Sequence, residues 1–242
     1  MTTYGDLRDY LDTLARNDKL AVVDRPIVKE TELTPLVRLQ FRGLPEEKRK
    51  GFLFNDVRGA DGRKFDMRVA TGIYASSMQI YALGLGCEPT NESVVQRWTE
   101  AQLKPLKPKR VSYGPVHEVV ITREDMERSG RGVDLLPVPV EVPGFSGQIR
   151  FTVPMMTKDP KTGWVNVGNY SAHLVGKTKL HWEIERHNHG WMHYLNAKEQ
   201  GKDLDCAIVI GGPPVLFFVA AAKVPYGVDE LDIAGALVQS PI

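Results

Sequence analysis

Residues 149–185, IRFTVPMMTKDPKTGWVNVGNYSAHLVGKTKLHWEIE, decide the fold. Runs 149–157, 164–168, 172–175 and 180–185 are rich in β-branched and aromatic residues and read as strands. Asp159-Pro160-Lys161-Thr162-Gly163 forms one turn and Gly176-Lys177 another, and both suit antiparallel hairpins. A further strand is predicted at 117–122 (HEVVIT). Two more, at 206–210 and 215–222, flank Gly211-Gly212-Pro213-Pro214, and a helix is predicted at 188–200.

Upstream the period changes. Leu7, Tyr10, Leu11 and Leu14 recur at helical spacing within residues 4–18, with Thr3 as the expected cap. Residues 20–23 and 52–54 read as short strands; 30–41, 74–85 and 91–103 read as helices, the last starting at a capping Asn91. KPLKPKR, 104–110, has the prolines and charge of a linker. The prediction is therefore an α+β chain: an N-terminal α/β domain over 1–110, then a mostly antiparallel β domain over 111–242.

Composition narrows the function classes. The 242 residues carry 31 Lys+Arg against 30 Asp+Glu, a net charge of +1, so no basic footprint marks a nucleic-acid or anionic-membrane partner. No apolar run approaches the roughly 18 residues of a membrane span. The N-terminus MTTYGDLRDY is charged where a signal peptide is apolar, and Cys87 and Cys206 form no CxxC pair. A reduced, cytoplasmic setting is the expectation. The apolar ending LDIAGALVQSPI predicts a domain incomplete at its C-terminus.

Three segments carry polar chemistry. Five of the six histidines fall between His173 and His193. His187 and His189, either side of Asn188, would share one face in a strand, and His189 and His193 one face in a helix. With no cysteine nearby and no HExxH, structural zinc is not indicated, and the histidines by themselves read as hairpin and core residues. In Asn166-Val167-Gly168-Asn169-Tyr170-Ser171, a glycine permitting close backbone approach precedes amide, phenol and hydroxyl groups, though such residues also simply make bends. In Gly227-Val228-Asp229-Glu230-Leu231, Asp229 is placed to cap a helix, and Glu230 is free to serve a metal or a hydroxyl.

In order and spacing these segments resemble the UbiD family of prenylated-flavin-dependent (de)carboxylases. Asp6-Leu7-Arg8-Asp9-Tyr10-Leu11, Arg186-His187-Asn188-His189-Gly190 and Ile208-Val209-Ile210-Gly211-Gly212-Pro213-Pro214 extend the likeness along nearly the whole chain. The resemblance implies a split β-barrel of flavin-reductase type over 111–242 and decarboxylation, in either direction, of an aromatic or α,β-unsaturated acid. It implies that Asn166, His189 and Glu230 hold Mn²⁺ or Mg²⁺ against the phosphate of prenylated FMN. It implies a K⁺ held by main-chain oxygens at Trp164, Val219, Ala220 and Ala222, with Glu230 shared. Asn169, Tyr170, Ser171 and Asn188 then match cofactor-contacting positions. A flavin prenyltransferase would supply the cofactor, and the C-terminal part missing here would build a homo-oligomer. Ser171 stands where the family commonly has a substrate-binding Arg, and the catalytic acid is expected beyond residue 242. This favours an alternative, a non-catalytic or split subunit whose acid comes from a partner chain. An NAD(P)H-dependent flavin reductase is a third reading, but it has no use for the Asn/His/Glu set.

Overall fold

The computed structural model describes residues 4–140 and 150–242. The chain opens with α1 (Leu7–Arg16), which buries Tyr10, Leu11 and Leu14 as the spacing requires. Its cap is Asp6, whose carboxylate accepts from the amides of Arg8 and Asp9; the expected Thr3 lies outside the described residues. There follow β1 (Leu20–Val23), β2 (Ile27–Val28), α2 (Leu33–Gly43), β3 (Gly51–Phe54), β4 (Val57–Arg58), β5 (Val69–Thr71), α3 (Met78–Leu85) and α4 (Asn91–Leu103). β1 pairs parallel with β3, and β5 closes that sheet antiparallel; β2 and β4 form a separate parallel pair. Thr90, one residue before the expected Asn91, caps α4 by accepting from the Ser93 amide.

Beyond the 104–110 segment the expected HEVVIT strand is absent. Pro115–His117 forms a single 3-10 turn, and Val119, Val120 and Ile121 are exposed. Strand propensity is realised only where a neighbouring ladder takes up the backbone groups, and no described strand lies alongside. α5 (Arg123–Ser129) is closed by a capping box between Thr122 and Asp125.

Then come β6 (Arg150–Lys158), β7 (Val165–Leu174), β8 (Leu180–Glu183), α6 (His189–Glu199), β9 (Cys206–Ile208), α7 (Pro214–Ala221) and α8 (Glu230–Val238). The four strands make an antiparallel half-barrel sheet ordered β8-β7-β6-β9. The runs 164–168 and 172–175 are one strand, because β6 pairs continuously from Arg150↔His173 to Lys158↔Val165. The largest correction is at 215–222, which is not a strand. Pro214 occupies the first turn of α7 and Pro213 holds the extended φ before it, so the apolar run begins as a helix. An all-apolar stretch has no period to distinguish the two. His187 and His189 likewise share no strand face: Asn188 is the N-cap position and His189 the first residue of α6.

The segments on either side of residue 110 share a core. Leu85 of α3 and Ala101 of α4 pack with Val215, Phe218 and Val219 of α7 and Ile233, Ala234 and Leu237 of α8. Gly84 makes that approach possible, since a Cβ there would lie 2.6 Å from the Phe218 ring. The 104–110 segment is tied to α8 by the Leu106 amide, which donates to the Asp232 carbonyl at 2.9 Å.

Candidate metal and cofactor site

The site forms where β7 outruns its neighbour. β8 pairs only with Ser171–Leu174, leaving the earlier part of β7 unpaired by β8. There the Val167 amide donates instead to Glu230 Oε2 at 3.0 Å. Asp229 caps α8 by accepting from the Leu231 amide at 2.9 Å, which sets Glu230 as the first helical residue, facing β7. Glu230 is 3% exposed. Desolvation pushes its pKa up to about 7, against the Val167 hydrogen bond, which pulls it down. Among the described residues no Lys or Arg forms an ion pair with it; its neighbour is His189 Nδ1, 3.9 Å from Oε1.

His189 is held by aromatic edges, with the Trp164 ring at 5.2 Å and the Tyr226 ring at 5.5 Å. Burial lowers its pKa, favouring the neutral imidazole that binds metals. Asn166 is buried on β7 opposite Thr157 of β6. Its Nδ2 donates to Tyr170 Oη at 3.5 Å, and the same phenol oxygen accepts from the Gly190 amide at 3.3 Å. Asn166, His189 and Glu230 are linked through the Tyr170 phenol, the Val167 amide and the 3.9 Å approach of His189 to Glu230, and they carry an amide oxygen, an imidazole and a carboxylate. Among the described residues no group of three His, Cys, Asp or Glu side chains could hold a metal, so the set depends on Asn166.

These residues fit a divalent cation. A buried carboxylate without a Lys or Arg partner is costly unless a charge is brought to it. Trp164 Nε1 and His193 Nε2 are also buried without hydrogen-bond partners in the structure, leaving polar atoms unused on the His189 side of the set.

The other expected contacts divide. Strand alternation puts Asn169 and Ser171 on the face of β7 opposite Asn166 and Tyr170. Ser171 Oγ lies 3.4 Å from Thr152 Oγ1, and His173, next on that face, pairs with Glu183 at 2.8 Å. Gly168 makes room for a side chain: a Cβ there would lie 2.3 Å from the Tyr170 ring. Asn188 makes no side-chain cap bond. Of the main-chain oxygens expected to hold K⁺, that of Trp164 accepts from the Asp159 amide at 2.8 Å and that of Val219 from the Ala222 amide at 3.1 Å. Ala220 and Ala222 sit at the end of α7.

Supporting residues surround the set; Thr157 and Tyr226 carried no signal in the sequence, whereas His193 is a core histidine as expected. Thr157 Oγ1 and the fully buried His193 Nδ1 lie 2.9 Å apart, with the His193 ring edge-on to Trp164 at 4.9 Å. Asp159 binds its own turn through the Lys161 amide and Thr162 hydroxyl, and reaches α6 through Asn196 Nδ2. Tyr226 stood beside Asp229 and Glu230 in the sequence, but nothing there signalled that its ring meets Trp164 at 4.7 Å.

The model of the UbiD 3-octaprenyl-4-hydroxybenzoate carboxy-lyase Rift-related domain matches residues 109–242. The chain belongs to the UbiD family. An uncharacterised Aquifex aeolicus protein is 32% identical over 99% of this UbiD chain and 50% of its own length. A phenolic acid decarboxylase of Streptomyces sp. strain D7 is 28% identical over 98% of the chain and 49% of its own. The UbiD-class enzyme HmfF of Pelotomaculum thermopropionicum, solved with FMN, superposes with a TM-score of 0.82 at 25% identity, covering 98% of this chain and 49% of HmfF. Its evolved dimeric form, solved with prFMN, gives 0.84 at 25% identity over 98% and 51%. The chain spans about half the length of the curated relatives it matches.

Proposed function

We propose that this UbiD chain holds prenylated FMN through a divalent metal, and that the whole protein is a carboxy-lyase for an aromatic or α,β-unsaturated acid. The observation that carries the reading is the buried Glu230 carboxylate, set 3.9 Å from His189 and tied to the residue after Asn166, with no Lys or Arg paired to it among the described residues. Asn166, His189 and Glu230 would hold Mn²⁺ or Mg²⁺, which would neutralise the flavin phosphate without Lys or Arg. Main-chain oxygens at Trp164, Val219, Ala220 and Ala222 are the candidates for K⁺. Prenylated FMN, when bound, supplies the electron sink for loss of CO₂.

The chain's own residues do the positioning. Trp164 and Tyr226 pack edge-on against His189 and restrict the orientation of its ring. Asn169 and Ser171 present an amide and a hydroxyl on the opposite face of β7, where Ser171 donates one hydrogen bond to a ligand oxygen. Asn188, at the start of α6, is the remaining polar contact. Residues 111–242 would form the cofactor-binding split barrel, with 1–110 packed against it. A flavin prenyltransferase would supply the cofactor, and the protein would work in the cytoplasm as a homo-oligomer.

Ser171 supports a second reading. A hydroxyl supplies neither the charge nor the fork of a guanidinium, so the chain would hold flavin while another chain provides the catalytic acid. Co-expression with a flavin prenyltransferase, followed by assay of aromatic and α,β-unsaturated acids, tests the proposal. Product is expected only after co-expression. Equal turnover with plain FMN would contradict it.

A further inference from the structure

We infer that Tyr170 is a positioning residue that aims two of the three metal ligands, Asn166 directly and His189 through the first turn of α6. This rests on the metal reading above. The phenol oxygen has two lone pairs, and both are used: one by Asn166 Nδ2 at 3.5 Å, the other by the Gly190 amide at 3.3 Å. An amide has one acceptor oxygen and one donor nitrogen. With Nδ2 committed to the phenol, Oδ1 is the end left for a cation. Gly190 directly follows His189, so its hydrogen bond fixes the helix turn that carries the imidazole.

The ring is seated for this task. Gly168 lacks the Cβ that would strike it, the Trp182 ring meets it edge-on at 5.2 Å, and Tyr170 is buried. Gly190 is fitted to the same oxygen, since a Cβ there would lie 3.0 Å from Oη. Two glycines twenty-two positions apart thus leave space for one side chain. Groups that orient ligands in this way typically change metal affinity by about 10–100-fold when removed.

The experiment is a Mn²⁺ titration in the presence of FMN, followed by the electron paramagnetic resonance of free Mn²⁺, with the unfolding midpoint measured in parallel. Tyr170→Phe removes one oxygen and keeps the ring. It is expected to weaken Mn²⁺ binding by about 10–100-fold, with the midpoint close to wild type. Asn166→Asp in the Tyr170→Phe background is expected to recover most of the loss, because a carboxylate presents an oxygen whichever way it turns. A merely structural role would not be rescued in this way. Wild-type affinity in Tyr170→Phe, with binding lost in Asn166→Ala, would overturn the inference and leave the metal reading standing. Equal Mn²⁺ binding by wild type and Asn166→Ala would remove the metal reading itself.

Discussion

The Val167 amide donates to Glu230 Oε2 at 3.0 Å, joining β7 to the first residue of α8 across sixty-three positions. This bond brings a carboxylate to the strand that carries Asn166, in a setting that opposes its ionisation.

The first prediction concerns pH. Burial raises the folded-state pKa of Glu230 from 4.5 to about 7, so the folded protein binds the proton more tightly than the unfolded chain. This contribution is fully present below about pH 4.5 and is lost as the pH rises through about 7. In metal-free protein Glu230→Gln should remove that slope, a difference on the order of 3 kcal/mol between about pH 5 and pH 8. Urea unfolding of both proteins at the two pH values checks it; parallel pH dependences would count against it.

Metal should reverse the penalty. A ligand at a hundredfold excess over its Kd adds about 2.7 kcal/mol of stability, roughly 5–10 °C for a chain of this size. Thermal melts with FMN and Mn²⁺ should show that rise for wild type and not for Asn166→Ala.

Gly168→Ala tests the seat of Tyr170. The added methyl would lie 2.3 Å from the ring, so ring or strand must move. A loss of about 1–3 kcal/mol is expected from overpacking, read by thermal unfolding, with weaker Mn²⁺ binding alongside.

Phe218→Ala tests the shared core. Its ring packs against Tyr81 at 4.6 Å and fills the space left by Gly84. A cost of about 3–5 kcal/mol is expected. Because α3, α4, α7 and α8 form one cluster, near-ultraviolet and far-ultraviolet signals should fall together. Separate transitions would contradict a common core.

The sequence made the hairpin legible because its signals are local. Asp159-Pro160-Lys161-Thr162-Gly163 closes a turn through its own residues, and the flanking strands alternate. Helices with a polar face, such as α1 and α4, were equally readable. The apolar stretch 215–222 was not, because α7 is buried too widely to show a period. HEVVIT has the composition of a strand but no partner among the described strands. At the site, the residue types and spacing of Asn166, His189 and Glu230 were visible. The work of Tyr170 was not, since it depends on Gly168 and Gly190 both leaving space for one ring. Thr157 and Tyr226 were hidden similarly, by contacts that exist only after folding.

In the proposed function, Asn166, His189 and Glu230 hold a metal that retains the flavin. Its most direct test is the metal and flavin content of wild type and Glu230→Ala, each co-expressed with a flavin prenyltransferase and purified identically. Mn²⁺ and prenylated FMN are expected together in wild type, with both lost in the variant while its fold persists. Equal metal and flavin in the two proteins would contradict it.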